Sequence, residues 1–296
     1  MNYRHAYHAG NFADVIKHIV LSRVIAYMKQ KSAPFRVIDT HAGCGRYDLQ
    51  SEAAGKTGEW EAGIGRLVGP APAHLSPAAA ALLEPYLAAV RDENGGGPLL
   101  RYPGSPRLAR ALIRPQDTLV VNELHPQDAA SLRAQFRRDA QTKVLQLDGW
   151  VALKSLLPPK ERRGVILIDP PFEAAGELDR IVDGLSEARK RFATGIYIVW
   201  YPIKDQRPLR GFHRRLQETG FEKILRADFL IRPPIDPDRL NGCGLAIVNP
   251  PYRMDADLGM MLSFLADRLA TAAPGEAAGS ADLAWLVPPR NESGPS

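Results

Sequence analysis

Cysteine is nearly absent from the chain. Its two cysteines, Cys44 and Cys243, stand far apart and form no CxxC or Cys/His group, so neither a disulfide framework nor a zinc site is expected, and no other metal is called for. No apolar run approaches the roughly 18 residues that mark a membrane-crossing helix. The opening residues carry Arg4, His5, His8 and Lys17 in place of an apolar signal core. The expectation is a soluble, cytoplasmic protein without a membrane partner. Acid is scarce at one end: residues 1–36 hold six Lys/Arg against Asp14 alone, which accounts for the whole net charge of +5 and leaves the remainder balanced. Basic clusters at Arg101/Arg107/Arg110/Arg114, Arg133/Arg137/Arg138/Lys143 and Lys204/Arg207/Arg210/Arg214/Arg215 are each open to two readings, a phosphate track or a solvated helix face.

What is present is a chain of 296 residues, 45% hydrophobic, long enough for a large core. It is organised around Val165-Ile166-Leu167-Ile168-Asp169-Pro170-Pro171-Phe172. Four apolar residues, three of them β-branched, read as a buried parallel strand that the two prolines end. Asp169 is therefore presented at the C-terminal end of a strand, where open α/β sheets place their ligands. Neither proline has an N–H, so the Pro170 carbonyl and the Asp169 carboxylate offer acceptors beside the ring of Phe172. That combination suits a flat ring bearing an amine, such as a nucleobase. Asn249-Pro250-Pro251-Tyr252 offers similar chemistry, but it follows a strand expected near the sheet's far edge.

The other segments fall into an alternating pattern. A polar, aromatic opening leads into an amphipathic helix from about Phe12 to Lys31; a strand, Phe35–Asp39, then runs into Thr40-His41-Ala42-Gly43-Cys44-Gly45. Strand, acid and G-x-G form a nucleotide-binding turn in which Gly43 and Gly45 let backbone approach a ligand. The third glycine of the dinucleotide fingerprint is missing, which argues against NAD. The acid that holds a ribose is usually about 20 residues on; here Glu123, after Thr118–Asn122, lies much further away. Residues 48–98 account for the excess and are read as an inserted helical subdomain. The sheet's own helix resumes with Ser105 as N-cap and Pro106 at N1. Lys143–Leu147 ends in Asp148-Gly149, placed to meet an adenine amino group. Strand Gly195–Tyr201, strands Lys223–Ile231 and Gly244–Val248, and a helix near Leu258–Leu269 follow. Strand and helix in alternation, with acids at successive strand ends, give an α/β fold: a Rossmann-like, mostly parallel, doubly wound sheet. Residues 1–47 and 99–288 belong to it, and 289–296 read as a disordered tail.

With the loop, the ribose acid, the adenine acid and Asp-Pro-Pro-Phe in order, the chain resembles class I S-adenosylmethionine-dependent methyltransferases that modify nucleobase amines. More closely, Tyr3-Arg4-His5, His8-Ala9-Gly10-Asn11, Asp14 with Lys17-His18, Asp39-Thr40-His41-Ala42-Gly43, Tyr102-Pro103-Gly104-Ser105-Pro106, Glu123-Leu124-His125-Pro126 and Trp200-Tyr201-Pro202 resemble the RlmJ family of 23S ribosomal RNA adenine-N6 methyltransferases. The resemblance runs from Tyr3 to about Pro288. It implies that His18, His41, Ser105, Glu123, Asp148 and Gly149 line the S-adenosylmethionine site, together with the glycine turn and Asp169. It further implies that Asp169, with Pro170 and Phe172, receives the target, and that Tyr3 belongs to the part that touches RNA, where Arg4 and Lys17 are also expected. Family members commonly carry Tyr where this chain has Phe172, so stacking is kept and a hydroxyl is lost.

The activity expected is methyl transfer to an adenine N6 of 23S ribosomal RNA, naked or in an assembly intermediate, by a monomer. The target base must be unpaired or flipped. Rival readings are a DNA adenine methyltransferase, an enzyme that methylates side-chain amides of proteins, and a nucleic-acid-binding protein that keeps the cofactor fold without turnover.

Overall fold

The computed structural model describes residues 7–68, 76–271 and 279–290. In chain order its first half contains α1 (Phe12–Met28), β1 (Arg36–Asp39), β2 (Arg46–Asp48), α2 (Glu52–Thr57), α3 (Glu59–Ala62), α4 (Gly65–Val68), α5 (Pro77–Glu93), β3 (Arg101–Pro103), α6 (Ser105–Leu112), β4 (Thr118–Asn122), α7 (Pro126–Phe136) and β5 (Thr142–Leu145). The second half contains α8 (Gly149–Leu156), β6 (Gly164–Ile168), α9 (Glu177–Phe192), β7 (Ile196–Ile203), α10 (Arg207–Glu218), β8 (Ile224–Leu230), β9 (Gly242–Val248), α11 (Met254–Leu269) and β10 (Ser280–Val287).

Eight strands form one sheet in the order β10-β8-β9-β7-β6-β1-β4-β5. The run from β7 to β5 is parallel throughout. From β1 the chain moves outward to β4 and β5, then returns to β6 on the other side, so the switch point lies between β1 and β6. The period of two along β6 explains its unbroken apolar sequence: Val165 and Leu167 join the core on one face, Ile166 and Ile168 the core on the other. Helices α1, α5, α6, α7 and α11 contribute to the first core, and α8, α9 and α10 to the second.

The far edge is not parallel. Strand β9 runs antiparallel to both neighbours, β7 and β8, and β10 antiparallel to β8. A direct connection from β8 into β9 needs no crossover helix, which is why β9 slips between β7 and β8. The reversal also disposes of the second proline pair. The C-terminal end of β9 lies at the edge of the sheet opposite the Asp169 strand end, and Asn249 there spends its side chain on the Ala193 and Gly195 carbonyls, each at 2.8 Å. Strand β10 adds an edge strand beyond those expected, although Leu283-Ala284-Trp285-Leu286-Val287 is a continuous apolar run that carries a strand signal.

The excursion between β1 and β4 opens and closes on an antiparallel pair, β2 with β3. Its long helix α5 does not stand apart: Leu83, Tyr86 and Val90 are buried in the same core as α1. Tyr86 and Tyr102 are joined hydroxyl to hydroxyl at 3.0 Å, and Tyr102 meets His18 Nδ1 at 2.8 Å, so the excursion braces α1 directly. Ser105 is the first residue of α6 and not its N-cap, which is Gly104. The expected disordered tail falls mainly on 291–296, outside the described residues.

Candidate active site

A cleft of about 870 Å³ lies along the C-terminal ends of the parallel strands. It is bordered by the start of α1, the turns after β1, β4, β5, β6 and β7, and the loop before β9. Open parallel sheets gather their ligand groups there because successive turns diverge at the switch point.

At its centre Asp169 follows β6. The Lys17 ammonium donates to Asp169 Oδ2 at 2.6 Å and to Asp14 Oδ1 at 2.8 Å. Lys17 is 4% exposed and Asp14 1% exposed, so in this charge triad one buried cation faces two carboxylates, Asp14 behind it and the half-buried Asp169 on the cleft side. Burial opposes the charge on Lys17, yet the paired carboxylates outweigh it and raise the Lys17 pKa. The expectation that Lys17 reaches RNA phosphate is corrected here: a buried lysine committed to two acids grips no phosphate, and its work is to hold Asp169. The i, i+3 spacing of Asp14 and Lys17 on α1 was the available signal for such a pair. Tyr3 and Arg4 lie outside the described residues.

Past Asp169, Pro170 and Pro171 line the cleft and Phe172 turns at φ 51°. That left-handed conformation costs an aromatic residue energy and marks a site whose surroundings impose it. The ring stands edge-on to Trp200, centroids 5.7 Å apart.

The turn after β1 forms the neighbouring wall. Gly43 sits at φ 62°, and a Cβ there would fall 2.4 Å from the Tyr47 hydroxyl; its amide donates to Glu123 Oε2 at 2.8 Å. Glu123 Oε1 takes the His125 amide at 2.7 Å, so two backbone donors fix the carboxylate. Burial raises the Glu123 pKa against those donors. Asn122, buried, ties three strand ends together: its amide nitrogen reaches the Thr40 and Leu147 carbonyls and its oxygen accepts from the Leu147 amide. Sequence reading passed over this residue, since an Asn before Glu123 gives no local sign of long-range ties.

His41 and Gly149 fit as a pair. A Cβ on Gly149 would meet His41 Nε2 at 2.2 Å, so only glycine lets the imidazole lie against the start of α8. Burial lowers the His41 pKa to about 4, which leaves the ring neutral at pH 7. Asp148 caps α8, accepting the Trp150 and Val151 amides, while its other oxygen meets Arg180 at 3.3 Å. Behind the turn, Asp39 is 1% exposed, and burial raises its pKa to about 6 although Ser105 and the His41 amide draw it down.

Gly45 departs from expectation. It does not border the cleft; its carbonyl receives the Gly104 amide at 2.9 Å, so it ties the turn to the β3–α6 junction. His18, Ser105, Glu123, Asp148 and Gly149 do border it. Asn11 and Glu59 join them at the α1 end, where Asn11 Nδ2 and His8 Nδ1 both meet the Glu59 carboxylate.

This geometry has close counterparts. Residues 32–287 match the family model described as ribosomal RNA large subunit methyltransferase D, RlmJ. The chain belongs to that family. Ribosomal RNA large subunit methyltransferase J of Escherichia coli (strain K12) is 41% identical over 97% of this chain and 99% of its own length. The protein of the same name from Haemophilus influenzae is 38% identical over the same shares. The crystal structure of protein LPL1258 from Legionella pneumophila superposes with a TM-score of 0.82 at 34% identity, covering 94% of this chain and 98% of that one. Seen as an RlmJ-family chain, it keeps the acid at the end of each of β4, β5 and β6 on one cleft. Among the described residues no group of three His, Cys, Asp or Glu is placed to hold a metal ion, and no helix is long and apolar enough to cross a membrane.

Proposed function

We propose that this protein transfers the methyl group of S-adenosylmethionine to the N6 amine of an adenine in 23S ribosomal RNA. The observation that carries the reading is Asp169 at the switch point, held on Oδ2 by buried Lys17, with Pro170 and the strained Phe172 beside it. The residues fit the cofactor. Asp39 Oδ2 is a buried acceptor without a hydrogen-bond partner among the described residues, and it lies directly behind the turn that borders the cleft. Glu123, fixed by two amides, has lone pairs left for vicinal hydroxyls, and Asp148 suits an amino group. His18, His41, Gly43, Ser105 and Gly149 complete the set. S-adenosylmethionine, when bound, would supply an electrophilic methyl on a sulfonium centre, whose C–S bond would break with its electron pair returning to sulfur as a neutral thioether.

The chain's own groups do the rest. Adenine N6 is a poor nucleophile because its lone pair is shared with the ring. Asp169 Oδ1 and the Pro170 carbonyl accept from its two N–H groups, which draws the nitrogen towards tetrahedral geometry and localises that pair. Lys17 holds Asp169 in place through Oδ2. Phe172 stacks on the extruded base, and Asp169 takes the N6 proton, directly or through water, as the N–C bond forms. Tyr3 and Arg4 stack on and pair with the RNA beside the target. The substrate is naked RNA or an assembly intermediate, the protein works in the cytoplasm, and it does so as a monomer, which light scattering of the purified protein checks. Residues 48–98 form its inserted helical unit.

The test is transfer of labelled methyl to unmodified 23S RNA, with duplex DNA and total cell protein alongside and mass mapping of the modified nucleoside. N6-methyladenosine in RNA is expected. Label in DNA or protein alone, or none despite cofactor binding, overturns the reading.

A further inference from the structure

Three basic clusters in the sequence compete as RNA contacts, and their ion pairs separate them. In the first, Arg107 is paired with Glu93, Arg110 with Asp139 and Arg114 with Asp117, so three of its four charges are spent inside the protein, and the exposed fourth, Arg101 in β3, does not border the cleft. In the second, Arg137 and Arg138 are exposed at the end of α7, which leads into the start of β5 and thus lies at the edge of the sheet away from the cleft. The third begins in the cleft itself. Lys204 borders it beside Trp200 and Pro202, and α10 starts three residues later.

Helix α10 contains four arginines and one acid, Glu218. Leu209, Phe212 and Leu216 bury one side of it. Arg207 is paired with Asp205 and Arg215 with Asp179. Arg210 and Arg214 are exposed, and neither they nor Lys204 form an ion pair with another described residue. One turn separates Arg210 from Arg214, a rise of about 6 Å. Lys204 therefore stands at the mouth, and two uncompensated guanidinium groups continue outward from it along one helix face.

Resting on the function proposed above, we infer that Lys204, Arg210 and Arg214 form the track for the sugar-phosphate backbone of the nucleotides flanking the target adenosine. The placement explains why these cations stay unpaired. A backbone leaving a base held between Asp169 and Phe172 exits past Trp200 and Pro202 and meets Lys204 first. Guanidinium groups one turn apart then offer several donors each to successive phosphates. Contacts of this kind position RNA without reading its sequence, so discrimination stays with the cleft.

The experiment compares Arg210→Glu/Arg214→Glu with Arg137→Glu/Arg138→Glu on the full chain, using 23S RNA and a short hairpin with an unpaired adenosine. The α10 pair is expected to weaken hairpin binding and raise KM for RNA by about 10-fold or more, and to reduce the slope of log affinity against log salt by roughly one per arginine. Cofactor affinity, melting temperature and kcat at saturating RNA should be unchanged. The neutral pair Arg210→Gln/Arg214→Gln should show the same pattern more weakly, and it replaces the charge reversal if that variant fails to fold. Unchanged RNA affinity and salt slope, or an equal loss in the α7 pair, overturns the track. Wild-type protein that leaves RNA unmethylated defeats the functional reading instead, a result told apart by its independence of α10.

Discussion

Asp169 combines two roles, as a half-buried counter-ion for buried Lys17 and as an acceptor facing the cleft. Asp169→Ala should abolish transfer while cofactor affinity stays within a few-fold, because the carboxylate acts on the target amine; cofactor titration beside single-turnover transfer measures both. Undiminished transfer would remove Asp169 from the mechanism. Two neighbours make the residue scale pH-dependent. Burial holds His41 at about 4 against an ordinary 6.5, so the unfolded chain binds the extra proton between those values. The stability tied to neutral His41 is complete above about pH 6.5 and is lost as pH falls towards 4. Asp39, raised from 3.8 to about 6, acts in the opposite sense: the folded carboxyl keeps its proton longer, so stability declines as pH rises through that window. The melting temperature of His41→Asn should accordingly fall less between pH 7.5 and pH 4.5 than that of the wild type. Parallel curves would mean that the imidazole titrates as it does in water.

At the scale of the element, α1 is the part on which the site depends, since Asp14, Lys17 and His18 all project from it. Its N-terminus is held by Asn11, whose Oδ1 accepts the Ala13 and Asp14 amides at 3.0 and 3.1 Å while Nδ2 donates to Glu59. Asn11→Ala should cost about 1 kcal/mol, or roughly 2–4 °C in melting temperature. Transfer should suffer more than that loss of stability implies, because the first turn carries Asp14. Differential scanning calorimetry paired with turnover at 25 °C tests this; a stability loss with full activity would show that the Lys17 triad holds α1 without its cap. The excursion enters here as well. Tyr86, Tyr102 and Glu59 reach α1 from α5, β3 and α3, so the segment that interrupts the sheet also positions the helix bearing His18.

For the molecule as a whole, the question is how the N-terminal residues serve a cleft assembled from six separate turns. Residues 1–8 are rich in aromatic, imidazole and polar groups without an apolar period, and a segment of that kind adds little to a core. Their removal should impair RNA methylation far more than it lowers the melting temperature. Normal methylation by the shortened chain would end the idea that Tyr3 and Arg4 touch RNA, and a large drop in melting temperature would make the segment a structural plug.

Local chemistry was enough to make much of this legible. The apolar strands, the prolines after Asp169, the glycine turn and the acids at Glu123 and Asp148 are short-range patterns that backbone geometry enforces wherever they occur, so the doubly wound sheet and the cleft's edge followed from them. Three matters waited for the folded chain. Lys17 read as an RNA contact because its two carboxylate partners could be weighed only once Asp169, 152 residues away, was brought beside it. Gly45 read as a cofactor glycine until Gly104 claimed its carbonyl. The basic clusters read alike until their acids arrived from other elements. In each case the deciding force is electrostatic or hydrogen-bonding and depends on burial and on partners remote in sequence, whereas turn and strand preferences depend on adjacent residues alone.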